Sequence, residues 1–156
     1  SVTWDPNWFM PGQAYSWTCS VCSTTWVLQA TATAYQESDV YDARYAVGER
    51  MGYPSCVNPT YGCMSTECVI DTLASYGLVA RQAWCTFDEA FAIARTNTGV
   101  INPQGMYHFM GIRGTSGADI WVSNSAPGYD SVWDNLTRER FNALGPVSVI
   151  YVESRS

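Results

Sequence analysis

Four side chains in this sequence are of the types that carry nucleophilic acyl transfer: Cys19, His108, Asn124 and Gln13. Cys19 opens the run CSVCSTTWVLQA, in which Val21, Cys22, Thr25, Trp26, Leu28 and Gln29 recur at three- and four-residue spacing, so a helix is expected to begin there. Ser16 or Thr18 can cap it by accepting from its first N–H groups. A thiol in a first helical turn meets unpaired N–H groups and the positive end of the helix dipole. Both favour the thiolate, which is the nucleophilic form. His108 is the only histidine of the chain, and imidazole is the side chain suited to moving protons near neutral pH. It falls in Met106–Ile112, which reads as a strand with apolar residues on both faces. Ile120–Asn124 reads as its hairpin partner across a Gly/Ser/Thr turn over 113–118. A hairpin sets its strand ends side by side, so Asn124 can reach the far nitrogen of His108 and fix the ring. Asp119, the competing orienter, lies at the turn end and away from His108. Gln13 precedes Cys19 by six residues. Its amide, with the Cys19 backbone N–H, can donate to an oxygen that becomes negative during acyl transfer.

Each of these residues also has a plainer reading. Cysteine is among the most buried residue types, a lone His is more often a satisfied core residue, Asn is a common turn former, and Gln13 is a polar loop residue. The weight lies in four types occurring in this order, in this helix and hairpin context.

The elements that must position them read in two blocks. Residues 1–12 hold two Pro and two Trp and read as an extended, anchored N-terminal segment. The first helix is expected over Cys19 to about Ala34 and a second over Val40–Met51, closed by Gly52 and Pro54. A loop follows over 53–64. A third helix starts at Ser65 or Thr66 and runs to Tyr76, with Gly77 closing it. Leu78–Ala80 is a short strand or turn. Thr86-Phe-Asp-Glu89 is a capping box opening a fourth helix to about Arg95. After Gly99 the period changes to strands: Gly99–Asn102, the two hairpin arms, and Val147–Val152. Residues 125–135 read as loop, and Asn135 or Thr137 opens a short fifth helix ended by Gly145-Pro146. Helices first and antiparallel strands later predict an α+β fold in a single domain spanning 1–156.

Composition limits the partners. The chain has no Lys, eight Arg and a net charge of −6, so it offers no basic patch for nucleic acid or an anionic membrane. No apolar run approaches the roughly 20 residues of a spanning helix, and no signal peptide is visible. The chain starts at Ser1 without Met, as a processed form or an excised domain would. Of the six cysteines, Cys56, Cys63 and Cys68 cluster in a loop-rich region that could hold one disulfide. Cys19-Ser-Val-Cys22 has redox-motif spacing but lacks the preceding strand of a thioredoxin-like unit. A zinc site from Cys19, Cys22 and two other residues is conceivable, but the remaining cysteines do not repeat that spacing.

Gln13, Cys19 at a helix start, a distant His on a strand and a following Asn together resemble papain-like cysteine peptidases. Order and spacing are most similar to the bacteriocin-processing-like branch, in TCSVCSTTWVL (Thr18–Leu28), in HFMGIRG (His108–Gly114) and in WVSN (Trp121–Asn124). The similarity spans nearly the whole chain. It departs from that pattern at Ser20, where the branch has Gly, and at Asn124, where it has Asp before Pro; papain itself uses Asn in this role. The resemblance implies amide hydrolysis through a thioester. Cys19 would be the nucleophile, His108 the proton carrier, Asn124 its orienter and Gln13 an oxyanion donor, with no metal or cofactor. Domains of this branch occur in actinobacteriophage lysins beside other wall-cutting domains, and as peptidase modules of bacteriocin exporters. The lysin setting implies a peptidoglycan stem peptide as substrate and action at the bacterial cell wall. Trp4, Trp8, Tyr15, Trp17, Tyr129 and Trp133 would line a peptide cleft or fill the core. Two other readings stay open: a peptidase-like peptide-binding module without catalysis, and a structural protein stabilised by disulfides or zinc.

Overall fold

The computed structural model describes residues 1–9, 19–34, 64–103, 108–124 and 132–156. Gln13, the cap candidates Ser16 and Thr18, the helix expected over Val40–Met51, Cys56 and Cys63 lie outside the described residues.

In chain order the elements are α1 (Cys19–Ala30), α2 (Thr66–Ser75), β1 (Leu78–Cys85), α3 (Phe87–Thr96), β2 (Gly99–Pro103), β3 (Met110–Ser116), β4 (Asp119–Asn124), β5 (Val132–Leu136), α4 (Arg138–Ala143) and β6 (Val147–Arg155). The strands form one sheet in the order β1-β6-β2-β3-β4-β5, and every neighbouring pair is antiparallel. The architecture is α+β, as expected. Strand alternation feeds two cores. Val100 and Ile150 point with α1 and α2 into one, while Ile101 and Val149 point with α3 and α4 into the other.

The helix starts follow their caps. Ser65 Oγ accepts from Cys68 N at 3.1 Å. The Thr86–Glu89 capping box is closed in both directions, at 3.0 and 3.3 Å. Thr137 caps α4 through Arg140 N at 3.1 Å. Helix α2 ends at Gly77, whose φ of 82° is the left-handed geometry that glycine tolerates best.

Helix α1 departs from expectation in two ways. It is buried on every side rather than along one stripe. A helix with so many hydroxyls can be buried because each bonds locally or across: Thr24 Oγ1 donates to Ser20 O and Thr25 Oγ1 to Val21 O, both at 2.8 Å, and Ser20 Oγ accepts from Met64 N at 3.0 Å. It also stops four residues before the expected Ala34. Ala32 takes a φ of 57°. Thr33 N then bonds Leu28 O at 2.9 Å and Ala32 N bonds Gln29 O at 3.1 Å, which is a Schellman cap with Ala at the glycine position.

The strands correct the sequence reading at four places. β1 runs on to Cys85 because it pairs with β6 along its whole length, from Leu78↔Arg155 to Cys85↔Val147. Cross-strand polar pairs hide its alternation, with Arg81 Nε donating to Glu153 at 2.6 Å and Gln82 to Ser148 at 3.0 Å. β6 extends to Arg155 for the same reason. β3 reaches Ser116, so the turn shrinks to Gly117–Ala118. β5, read as loop, pairs with β4 from Ile120↔Leu136 to Asn124↔Val132.

Cys68 is disulfide-bonded to a partner outside the described residues. Cys19 and Cys22 are not in a disulfide, and Cys22 is buried in the core beside α2.

Candidate active site

Cys19 is the first residue of α1 and is 7% exposed. Helix α1 packs on β3 and on Phe109 before it through Ser23 and Trp26, which share one helix face with Cys19 at four- and three-residue spacing. Ser23 Oγ donates to Phe109 O at 3.0 Å. One turn on, Trp26 covers Gly111: a β-carbon at residue 111 would stand 2.6 Å from Trp26 Cε3. Glycine is needed there because the indole occupies the space that any side chain would take. Helix and strand therefore advance in the same direction, Ser23 beside Phe109 and Trp26 beside Gly111. One turn back on the same face of α1, about 6 Å along the axis, stands Cys19.

His108 precedes β3 rather than lying within a strand. The β2–β3 ladder pairs Val100 with Gly111 and Ile101 with Met110. Continued, that register would set His108 opposite Pro103, which has no N–H to donate. The ladder stops and His108 leaves the sheet at its end. Across the hairpin, Gly111 pairs with Ser123, and Asn124 follows. His108 Nε2 and Asn124 Oδ1 are 2.7 Å apart. A carbonyl oxygen accepts, so Nε2 carries the ring proton and Nδ1 keeps the basic lone pair. Asp119 pairs with Ser116 at the turn end of the hairpin, as expected.

His108 is half-buried. Burial holds its pKa below the ordinary 6.5, and the bond to Asn124, which favours the charged ring, offsets only part of that. The imidazole is therefore neutral at neutral pH.

Trp4 and Trp8 lie elsewhere than the opening of α1. With Asp5, Thr31, Ala32 and Arg155 they line a cleft of about 720 Å³ at the far end of that helix. That end is about 16 Å from Cys19 at the helical rise. Tyr15, Trp17 and Tyr129 lie outside the described residues, and Trp133 falls in β5.

The sequence reading missed Arg113, taken as the start of a turn. It lies in β3 with no exposed surface. Its guanidinium sits 5.2 Å from the Trp26 ring and 5.7 Å from the Trp121 ring, and Nη1 donates to Pro6 O at 2.7 Å and Trp8 O at 2.8 Å. Its signal was present in the sequence: a single cation inside a run of strand-forming residues in a chain rich in Trp, which stacks on guanidinium.

Among the described residues no helix is long and apolar enough to cross a membrane. No family model matches the sequence, and no curated protein matches it. In fold the chain is similar to a double glycine motif protease from an AMS/PCAT transporter, whose crystal structure is in complex with the leader peptide. The TM-score is 0.59 at 17% identity, covering 91% of this chain and 89% of that one. Helices laid on an antiparallel sheet are thus the papain-like peptidase fold.

Proposed function

We propose that this protein is a cysteine peptidase that cleaves an amide bond through a thioester on Cys19. The observation that supports this most is the 2.7 Å bond from His108 to Asn124 at the end of the hairpin on which α1 packs. His108 Nδ1 takes the proton from Cys19 Sγ, and the helix start favours the resulting thiolate. The sulfur attacks the carbonyl carbon. The oxyanion is held by the Cys19 N–H and the Gln13 amide. His108 returns the proton to the leaving amine as the C–N bond breaks and the thioester forms. Water, giving a proton to His108, then attacks the thioester, releasing the acid and restoring the thiol. Burial keeps the imidazole neutral and ready as a base, and Asn124 fixes its tautomer.

The substrate we propose is a bacterial cell-wall stem peptide, within a phage lysin that carries other wall-cutting domains. The sequence resemblance supports this. The structural neighbour, solved with a leader peptide, supports peptide binding and offers double-glycine peptides as the competing class. The test is digestion of both classes, with products identified by mass and a Cys19→Ala control. Cleavage of stem peptides alone, lost in the control, is expected. Cleavage of double-glycine peptides alone would replace the wall assignment, and cleavage of neither would contradict the peptidase reading.

A further inference from the structure

We infer that Arg113 is a positioning residue for the Cys19–His108 pair, setting the distance between α1 and the β3–β4 hairpin from beneath the site. The inference rests on the reading proposed above. Among the described residues, four segments meet at this guanidinium. Trp26 belongs to α1, two turns below Cys19 on the same stripe. Arg113 itself is on β3, beyond His108. Trp121 is on β4, three residues before Asn124. The N-terminal segment is tied in by Arg113 Nη1 on Pro6 O and Trp8 O, and by Trp4 Nε1 donating to Arg113 O at 2.9 Å. Trp26 Nε1 completes the frame with a 2.8 Å bond to Trp8 O.

Stability alone does not account for a cation in this place. Burial lowers its pKa to about 10, and the Asp5 charge recovers only part of that. Buried charges can often be exchanged for well-packed apolar side chains without loss of stability. What an apolar side chain cannot reproduce is the rigid planar group that spaces two indoles while bridging two carbonyls. The Trp26 ring already touches Gly111 on one side, so a change in the Arg113 stack moves Trp26 and with it the stripe that ends at Cys19. Misplacing reacting groups by about 1 Å costs up to about a hundredfold in rate.

The test compares wild type, Arg113→Met and Arg113→Lys in native iodoacetamide alkylation of Cys19 across pH, alongside thermal unfolding. Lysine keeps the charge and a nitrogen able to donate to both carbonyls but lacks the planar group that lies against the two indoles, and it stands in should the methionine variant fail to fold. The expected result is a folded variant whose Cys19 alkylation near neutral pH falls about tenfold or more. Its pH profile should move toward that of His108→Ala. A folded variant with the wild-type rate and pH profile, altered only in melting temperature, would make Arg113 merely structural and overturn the inference. Wild-type Cys19 labelling that does not depend on His108 would instead remove the peptidase reading, and this inference with it.

Discussion

His108 Nε2 and Asn124 Oδ1 face each other at 2.7 Å across the open end of the β3–β4 hairpin. The bond fixes which ring nitrogen is basic. Asn124→Ala leaves the ring free to rotate and to change tautomer, and is expected to slow Cys19 alkylation and peptide cleavage about tenfold to a hundredfold. Asn124→Asp retains an acceptor and adds a charge that favours imidazolium. It should keep most of the activity and raise the His108 pKa, read by the ring-proton NMR shift against pH.

The burial of His108 carries a stability signature. Its folded pKa lies below the ordinary 6.5, so between those values the unfolded chain binds the proton more readily. The stability this group contributes is full above about pH 6.5 and is lost as pH falls through the lower, folded value. Urea midpoints measured from neutral pH downward should fall over that window. The same series in His108→Gln should lose this part of the slope.

Gly111 holds α1 against β3. Its missing β-carbon would lie 2.6 Å from Trp26 Cε3 and 3.2 Å from Cδ2 and Cζ3. Gly111→Ala is expected to destabilise the fold by about 1–3 kcal/mol, as overpacking does. Because Trp26 and Cys19 share one stripe, it should also slow Cys19 alkylation in the molecules that remain folded. Urea unfolding and native labelling of the same sample check both.

The cap at the far end of α1 is suboptimal. Ala32 sits at a φ of 57°, where an L residue with a β-carbon is strained by about 1–2 kcal/mol. Ala32→Gly removes that strain at some cost in unfolded-state entropy. A net gain of about 0.5–1 kcal/mol in denaturant unfolding is expected, with Cys19 reactivity unchanged.

The start of α1 at Cys19 and the approach of Asn124 to His108 were legible in the sequence because they rest on local signals. A helix start announces itself by small and apolar spacing, a capping box by Thr86 and Glu89, and a hairpin by the Gly/Ser turn between two apolar runs. Gly111 is a small residue in the His strand, and the indole of Trp26 is what fills its place. What the sequence hid depended on partners distant in the chain. β5 was masked by Asp134 and Asn135, which an edge strand accommodates through its pairing with β4. β1 was masked by Arg81 and Gln82, whose heads bond to β6. The end of α1 carried no glycine to mark it. Pro103 ended the β2–β3 ladder and placed His108 outside it, which no property of the His108 run itself foretold. Arg113 read as a turn residue because its two indoles and two carbonyls come from segments up to 107 residues away.

The central claim is that Cys19 is a nucleophile activated by His108. It is tested most directly by iodoacetamide labelling of the native protein near neutral pH, mapped by peptide, beside His108→Ala. The account predicts fast alkylation at Cys19, ahead of Cys22 and Cys85, that slows strongly in the variant. Alkylation of Cys19 no faster than that of the other thiols, or indifferent to His108, would contradict it.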